Sequence, residues 1–233
     1  MSEQILYTDQ AAQVALWDEQ HAQRGSIGLE AHELRDTPSD SAVCFEHALR
    51  NHPSHILEIG CAHGRDARYW ASQGHLVTCA DFSSVALGQL NTLAIAQGVR
   101  HLLVPTLHDI SSGELPSIGD GPLHGFFARS ALHVGDEVMM QIAQRVNERL
   151  MPGGLVLIEG KGAGDHKIQR SIPIGGSLMV DTQEHGHLRR VWTEDFARTM
   201  CDTVGWHIEA LDNRQEQYKE NTIDFLRFLA RKP

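Results

Sequence analysis

Apolar and polar positions along this chain follow two periods, and the switches between them mark out its elements. The run from Ile56 to Ile59 is apolar except for Glu58 and reads as a short buried strand. Gly60 to Gly64 reads as a glycine turn. A helical pattern follows, with Ala67, Tyr69, Trp70 and Ala71, and it breaks at Gly74. A second apolar run, Leu76 to Ala80, ends in Asp81. Strand, glycine loop, helix and strand, with an acid at the second strand's tip, make a βαβ unit of the nucleotide-binding kind. The right-handed crossover of such a unit aims both strand tips at one crevice.

The same patterning organises the flanks. Upstream, Ala11 to His21 predicts an amphipathic helix with Val14, Leu16 and Trp17 on its apolar side. A polar loop from Gly25 to Pro38 leads to a second helix, capped by Ser39 or Asp40 and running through Arg50, with Val43, Phe45 and Leu49 as core residues. Downstream, Ser83 or Ser84 caps a helix ending at Gly98, and a third strand, His101 to Pro105, leads to Asp109. Ser111 to Pro122 is a Gly/Pro/Ser loop. The fourth strand, Gly125 to Ala128, delivers Arg129 to His133 to the edge where open α/β sheets bind ligands. Asp136 and Glu137 open a helix to Leu150, with Val138, Ile142, Val146 and Leu150 on one face. A turn at Met151 to Gly154 precedes the fifth strand, Leu155 to Ile158. Gly160 to Val191 is a glycine-rich, basic insertion containing Lys161, Lys167, Arg170, Arg189 and Arg190. Thr193 caps the last helix, and His207 to Leu211 and Ile223 to Ala230 are closing strands.

Composition narrows the classes. A chain of 233 residues with 41% hydrophobic content suits one α/β domain with additions. Its net charge of −10 argues against a nucleic-acid partner, which rewards a basic face. No apolar run approaches the ~20 residues of a membrane span, and no signal peptide is recognisable, so a cytoplasmic protein with no membrane association is expected. Cys44, Cys61, Cys79 and Cys201 show no C-x-x-C pairing and read as reduced thiols. The closest histidine pair, His185 and His187, lacks a third ligand at recognisable spacing, so no metal is expected.

The chemistry of the central stretch follows from its residues. Gly60 and Gly64 permit a tight turn and close backbone approach to a ligand. The helix start near Arg65 presents unpaired N–H groups that suit a carboxylate or phosphate. Asp81, about twenty residues past the loop, is placed to accept hydrogen bonds from two ribose hydroxyls. Gly60-Cys61-Ala62-His63-Gly64 lacks the G-x-G-x-x-G spacing of dinucleotide sites. An acid just ahead of the first glycine, Glu58, instead suits a bound ammonium group.

The stretch resembles motifs I and II of the class I S-adenosylmethionine-dependent methyltransferases, E/D-x-G-x-G-x-G and then an acid after the next strand. Gly64 to His75 (GRDARYWASQGH) is most similar to the thiopurine and tellurite-resistance methyltransferases, and Leu150 to Gly154 resembles the family's L-x-P-G-G. Ala62 replaces the usual middle glycine, which is tolerable at negative φ. The resemblance covers residues from about 40 to the C-terminus. It implies a Rossmann-like, doubly wound seven-stranded sheet, order 3-2-1-4-5-7-6 with an antiparallel last strand, as one domain over 41–233. Residues 1–40 would form a cap helix and loop, with Trp17 as a wall, and 160–191 an acceptor lid. The cofactor it implies is S-adenosylmethionine, giving S-adenosylhomocysteine. The residues carried over are Glu58 for the ammonium, Gly60, Cys61, Ala62, Gly64 and Arg65 in the loop, Asp81 and Phe82 at the ribose, His108, Asp109 and Ile110 at the adenine, and Arg129. Asp109 would accept from the adenine amine.

Methyl transfer to a small-molecule acceptor by in-line displacement then needs proximity and alignment more than covalent help. His133 is the candidate general base, and Arg129 a candidate holder of an anionic acceptor. The methylated atom stays open among O, N, S and Se. The alternatives are a non-catalytic S-adenosylmethionine-binding or scaffold protein, a macromolecular methyltransferase, and a nicotinamide-dependent oxidoreductase.

Overall fold

The computed structural model describes residues 9–26, 37–49, 53–119, 121–184, 186–218 and 221–233. Helices α1 (Gln10–Ser26) and α2 (Asp40–Ala48) precede the central unit β1 (His55–Ile59), α3 (Arg65–Ser72) and β2 (Leu76–Asp81). Then come α4 (Ser84–Ala96), β3 (Leu103–Leu107), β4 (Leu123–Arg129), α5 (Asp136–Arg149) and β5 (Leu150–Lys161). The insertion folds as a short helix α6 (His166–Gln169) and three strands, β6 (Ile172–Gly175), β7 (Leu178–Asp181) and β8 (His187–Arg190). Helix α7 (Glu194–Val204) and strands β9 (His207–Tyr218) and β10 (Asn221–Arg231) close the chain.

Seven strands form one sheet in the order β3-β2-β1-β4-β5-β10-β9, and β6-β7-β8 form a separate antiparallel sheet. With the insertion set aside, this is the expected 3-2-1-4-5-7-6 order, and β10 runs antiparallel to β5. Strand residues alternate between two cores. Leu57, Phe126, Val156 and Ile158 pack toward Ile142 and Met200 of α5 and α7, while Ile56, Phe127, Leu155 and Leu157 pack toward Phe45, Trp70 and Leu90 of α2, α3 and α4. Side chains cap the helices: Ser39 accepts from the N–H of Ala42, Ser83 from that of Ala86 and Thr193 from that of Phe196. Gly125 is required by α2, because a Cβ there would stand 2.7 Å from Cζ of Phe45.

Several boundaries differ from the pattern reading. The third strand starts at Leu103, behind a 3₁₀ turn over Arg100–Leu102. Strand β5 begins at Leu150, so the turn expected at Met151 to Gly154 lies inside it, tied to the C-terminus by the Lys232 N–H donating to the Gly154 carbonyl at 2.9 Å. Val43 is only half-buried, whereas Phe45 is fully buried. Gly25 belongs to α1, and most of the loop expected after it (27–36) lies outside the described residues.

Helix α1 departs most. Its apolar residues Val14, Leu16 and Trp17 are half-buried, and its buried side chains are Gln13 and His21. It spans other elements instead of sealing a core. Gln13 donates to the Gly186 carbonyl (2.9 Å) and accepts from Leu188 N–H (3.1 Å), while Gln89 of α4 donates to the His21 carbonyl (2.8 Å).

Candidate active site

The strand tips of β1, β2 and β4 open into a crevice of about 310 Å³, roofed by α1 and bordered by the insertion. This is the size of a small-ligand site. Of the residues expected from sequence, Glu58, Gly60, Cys61, Ala62, Arg65, Asp81, Phe82, His108, Ile110, Arg129 and His133 line it. Gly64 stands behind the wall at φ +72, where a Cβ would stand 2.4 Å from Leu90. Asp109 also stands apart. It borders an adjoining cavity of about 50 Å³ with Phe82 and Ile110, and its Oδ1 accepts from Ser111 N–H at 2.9 Å.

Local hydrogen bonds hold the β1–α3 loop. Gly60 and Cys61 donate to the Ala80 carbonyl at 2.8 and 3.2 Å. The Asp81 carboxylate accepts from Ala62 N–H (Oδ2, 2.8 Å) and Ser83 N–H (Oδ1, 2.9 Å). Asp81 is therefore both a wall of the crevice and the staple of the loop. Ala62 does not meet the condition under which an alanine is easily tolerated there, because its φ is +49. Ser130, at the tip of β4, has φ +52. These are the two non-glycine residues with positive φ among those described, and both line the crevice. Backbone strain that clusters in this way marks a functional site. Gly60, at φ +73, is required by packing as well, since its Cβ would fall 2.1 Å from that of Ala131.

Electrostatics divide the crevice. Glu58 is 4% exposed, and its Oε2 is buried without a hydrogen-bond partner. Burial, and then the neighbouring Asp66, hold its carboxyl well above the usual carboxylate range. Burial also raises Asp81, against the pull of the backbone N–H groups of Ser83, Ala62 and Phe82. Asp66 lines the same end, held by the N–H and hydroxyl of Ser39, both at 2.8 Å. Arg65 lines the crevice too, its Nε donating to Asp66 Oδ1 at 3.1 Å, and Arg129, Lys167 and Arg189 are its other cations. Arg129 donates to the buried Glu159 at 2.6 Å and also faces a second, polar cavity of about 290 Å³.

His133 does not have the geometry of the expected general base. Its Nδ1 accepts from Arg190 N–H at 3.3 Å, which leaves the proton on Nε2, and Nε2 has no partner. Burial, reinforced by Arg189 and Lys161, lowers its pKa to about 3. Arg190 fixes this arrangement, donating to the Val134 carbonyl and the Asp136 carboxylate, each at 2.7 Å.

The sequence reading did not single out Gln20, His21, His63 or Asp66, which also line the crevice. Trp17, Gln20 and His21 share an i, i+3, i+4 face of α1, and that spacing was the available signal. Trp17 stacks on His187 of the insertion, centroids 4.7 Å apart and planes 7° from parallel, and lies within 10° of parallel to His133. His185 lies outside the described residues, and among those described no three His, Cys, Asp or Glu side chains are placed to hold a metal.

Residues 56–154, which carry this loop and all three strand tips, match a family described as "Methyltransferase domain". No curated protein matches this chain. Among solved structures, the 1,6-didemethyltoxoflavin-N1-methyltransferase of Burkholderia thailandensis, with bound 1,6-didemethyltoxoflavin and S-adenosylhomocysteine, is similar over 95% of this chain and 88% of that one (19% identity, TM-score 0.66). TehB from Haemophilus influenzae is similar over 84% of this chain (17% identity, TM-score 0.63), and this chain spans 62% of that one. The (4+2)-cyclase SpnF also shares the fold (15% identity, TM-score 0.61, 82% of this chain and 80% of that one). Likeness at these identities shows the fold alone, and the site must argue for the chemistry.

Proposed function

We propose that this protein transfers a methyl group from S-adenosylmethionine to a small-molecule acceptor. The observation that carries this reading is Glu58 Oε2, buried at the tip of β1 without a partner, in one crevice with a strained glycine loop and Asp81. A buried carboxylate oxygen without a donor is costly, and a ligand ammonium group is the complement it lacks. The residues present fit S-adenosylmethionine: Glu58 for the ammonium, the Gly60–Ala62 backbone beside the amino-acid portion, Asp81 for the ribose hydroxyls, and Phe82, His108 and Ile110 about the base, with Asp109 in the adjoining cavity. When bound, S-adenosylmethionine supplies a methyl group on a positively charged sulfur.

The chain's own part is to align, to exclude water and to balance charge. Asp81, together with Glu58 once a ligand ammonium draws off its proton, supplies negative charge at the cofactor end, which suits a cationic ligand. Helix α1 and the insertion cover the crevice, and a water-poor site strengthens each of these interactions. The net charge of −10 and a crevice of about 310 Å³ suit a small acceptor better than a nucleic acid. Four free thiols agree with a reducing, cytoplasmic setting. No described helix is long and apolar enough to cross a membrane.

Calorimetry with S-adenosylmethionine, S-adenosylhomocysteine and NADH tests the reading. Both sulfur ligands are expected to bind and to raise the melting temperature. Tighter binding of NADH, or no binding of either sulfur ligand, would overturn it.

A further inference from the structure

On the methyltransferase reading, on which this inference rests, most groups that line the crevice are already engaged. Arg65, Arg129 and Arg189 are ion-paired with Asp66, Glu159 and Asp181, and the Trp17 indole is stacked on His187 and His133. Ser130, the residue after the tip of β4, is different. It is half-buried and lines the crevice, and its hydroxyl makes no hydrogen bond among the described residues.

The backbone of Ser130 is strained as well. Its φ of +52 lies in the left-handed region, where a glycine sits freely and a residue with a Cβ does not. The surrounding turn enforces that conformation. Ser130 N–H donates to the Glu159 carbonyl at 2.7 Å, His133 N–H to the Ala131 carbonyl at 3.0 Å, and the Arg190 guanidinium to the Val134 carbonyl at 2.7 Å. Ala131 is pressed against Gly60. A glycine at position 130 would keep these contacts without strain. What serine adds there is a fixed, unspent hydroxyl at the crevice.

Topology says what that hydroxyl meets. In the sheet order β1 stands between β4 and β2, so Ser130 lies across β1 from Asp81 and Phe82, the residues assigned to the cofactor's nucleoside end. On its other side is β5, from which the insertion leaves. Ser130 therefore belongs to the acceptor half of the crevice. Chemistry narrows the partner. A serine hydroxyl is neutral and is no base at neutral pH, and it accepts readily from N–H or O–H but poorly from S–H. A neutral nitrogen attacks with its proton in place, whereas a hydroxyl acceptor has to lose its own first.

We propose that Ser130 contacts the acceptor directly, its Oγ accepting a hydrogen bond from an N–H of the nitrogen that is methylated and so turning that nitrogen's lone pair toward the methyl carbon. The lone pair forms the bond to the methyl carbon while the carbon–sulfur bond breaks and its electron pair returns to sulfur. The positive charge passes from sulfur to nitrogen, and the N–H proton is then released to water.

The test uses the full chain with S-adenosylmethionine and three probes of matched shape, aniline, phenol and thiophenol, and reads S-adenosylhomocysteine release. Aniline is expected to be consumed fastest, although thiophenol is the stronger nucleophile in water. Ser130→Ala should lower aniline turnover about tenfold or more, the weight of one hydrogen bond, with S-adenosylhomocysteine affinity within about threefold of the parent. Ser130→Gly should lose turnover equally and yet raise the melting temperature of the free protein by about 2–4 °C, because it relieves the strain. A merely structural serine would not trade activity for stability in this way, and a lowered melting temperature in Ser130→Gly would overturn the strain argument. If S-adenosylhomocysteine binds but phenol or thiophenol is preferred, or no probe is consumed, the nitrogen acceptor is overturned and the methyltransferase reading survives. Unchanged aniline turnover in Ser130→Ala overturns the contact, as does a matching loss of S-adenosylhomocysteine affinity, which would put the hydroxyl on the cofactor. If S-adenosylhomocysteine does not bind the parent, both readings fall.

Discussion

Asp81→Ala tests the double role of one carboxylate. In the native loop its two oxygens accept from the N–H groups of Ala62 and Ser83, at 2.8 and 2.9 Å, and the residue is 6% exposed. Removing it strands two backbone donors, one of them on an alanine held at φ +49. At roughly 1–1.5 kcal/mol for each lost bond, the free protein should lose about 2–3 kcal/mol of stability. For a chain of this size that corresponds to a melting temperature lower by about 4–12 °C. Ligand affinity should fall separately, because two ribose hydroxyls lose a charged acceptor. We expect S-adenosylhomocysteine and methylthioadenosine, which share the ribose, to weaken by about 10–100-fold each. Asp81→Asn keeps one oxygen acceptor and should fall between parent and alanine on both measures. Thermal melts of the free protein and calorimetry with both ligands read the two effects apart. Unchanged affinity beside a lowered melting temperature would make Asp81 a loop staple and place the ribose elsewhere. An unchanged melting temperature would refute the energetic argument for the staple.

Three further outcomes are expected. Because burial holds the Glu58 carboxyl well above its usual range and a ligand ammonium favours its ionised form, S-adenosylhomocysteine should bind with proton release and more tightly as pH rises. Calorimetry in buffers of different ionisation enthalpy should lose that proton in Glu58→Gln, and methylthioadenosine, lacking the amino-acid portion, should not show it. Replacing Ser171 to His187 by a short Gly/Ser linker removes the ring stacked on Trp17. It should abolish turnover of an acceptor identified by S-adenosylhomocysteine release while leaving S-adenosylhomocysteine affinity within about threefold, and retained turnover would demote the insertion to a surface feature. At the opposite edge of the sheet, burial lowers His55 and His75 below their usual value. His75 Nδ1 accepts from Ser54 N–H, and His55 Nε2 meets the Thr78 hydroxyl at 2.8 Å. A folded-state pKa below the unfolded one gives stability that is complete above the unfolded value, about 6.5, and is lost as pH falls. Urea unfolding should therefore weaken between about pH 7 and pH 5, and an unchanged slope in the double variant His55→Gln/His75→Gln would refute the attribution.

Much of this protein is local and was therefore legible in the chain. The βαβ unit follows from apolar periodicity and punctuation by Gly60, Gly64 and Gly74, and the acids at the strand tips follow from where those runs end. Helix caps at Ser83 and Thr193 are short-range signals of the same kind, whereas the order of the strands came only from the family resemblance. Tertiary structure decided what depends on distant partners. The positive φ of Ala62 is tolerated because Asp81, nineteen positions on, holds its N–H. The tautomer of His133 is set by Arg190, on a strand 57 positions away. The inward face of α1 could not be read from its apolar residues, since Gln13 and His21 are buried by β8 and α4, which the helix bridges. Asp109, chosen by its place at a strand tip, spends one oxygen on Ser111 and borders a neighbouring cavity. Periodicity reports which residues leave water, whereas partner choice, proton position and strain are settled by groups that meet only when the sheet closes.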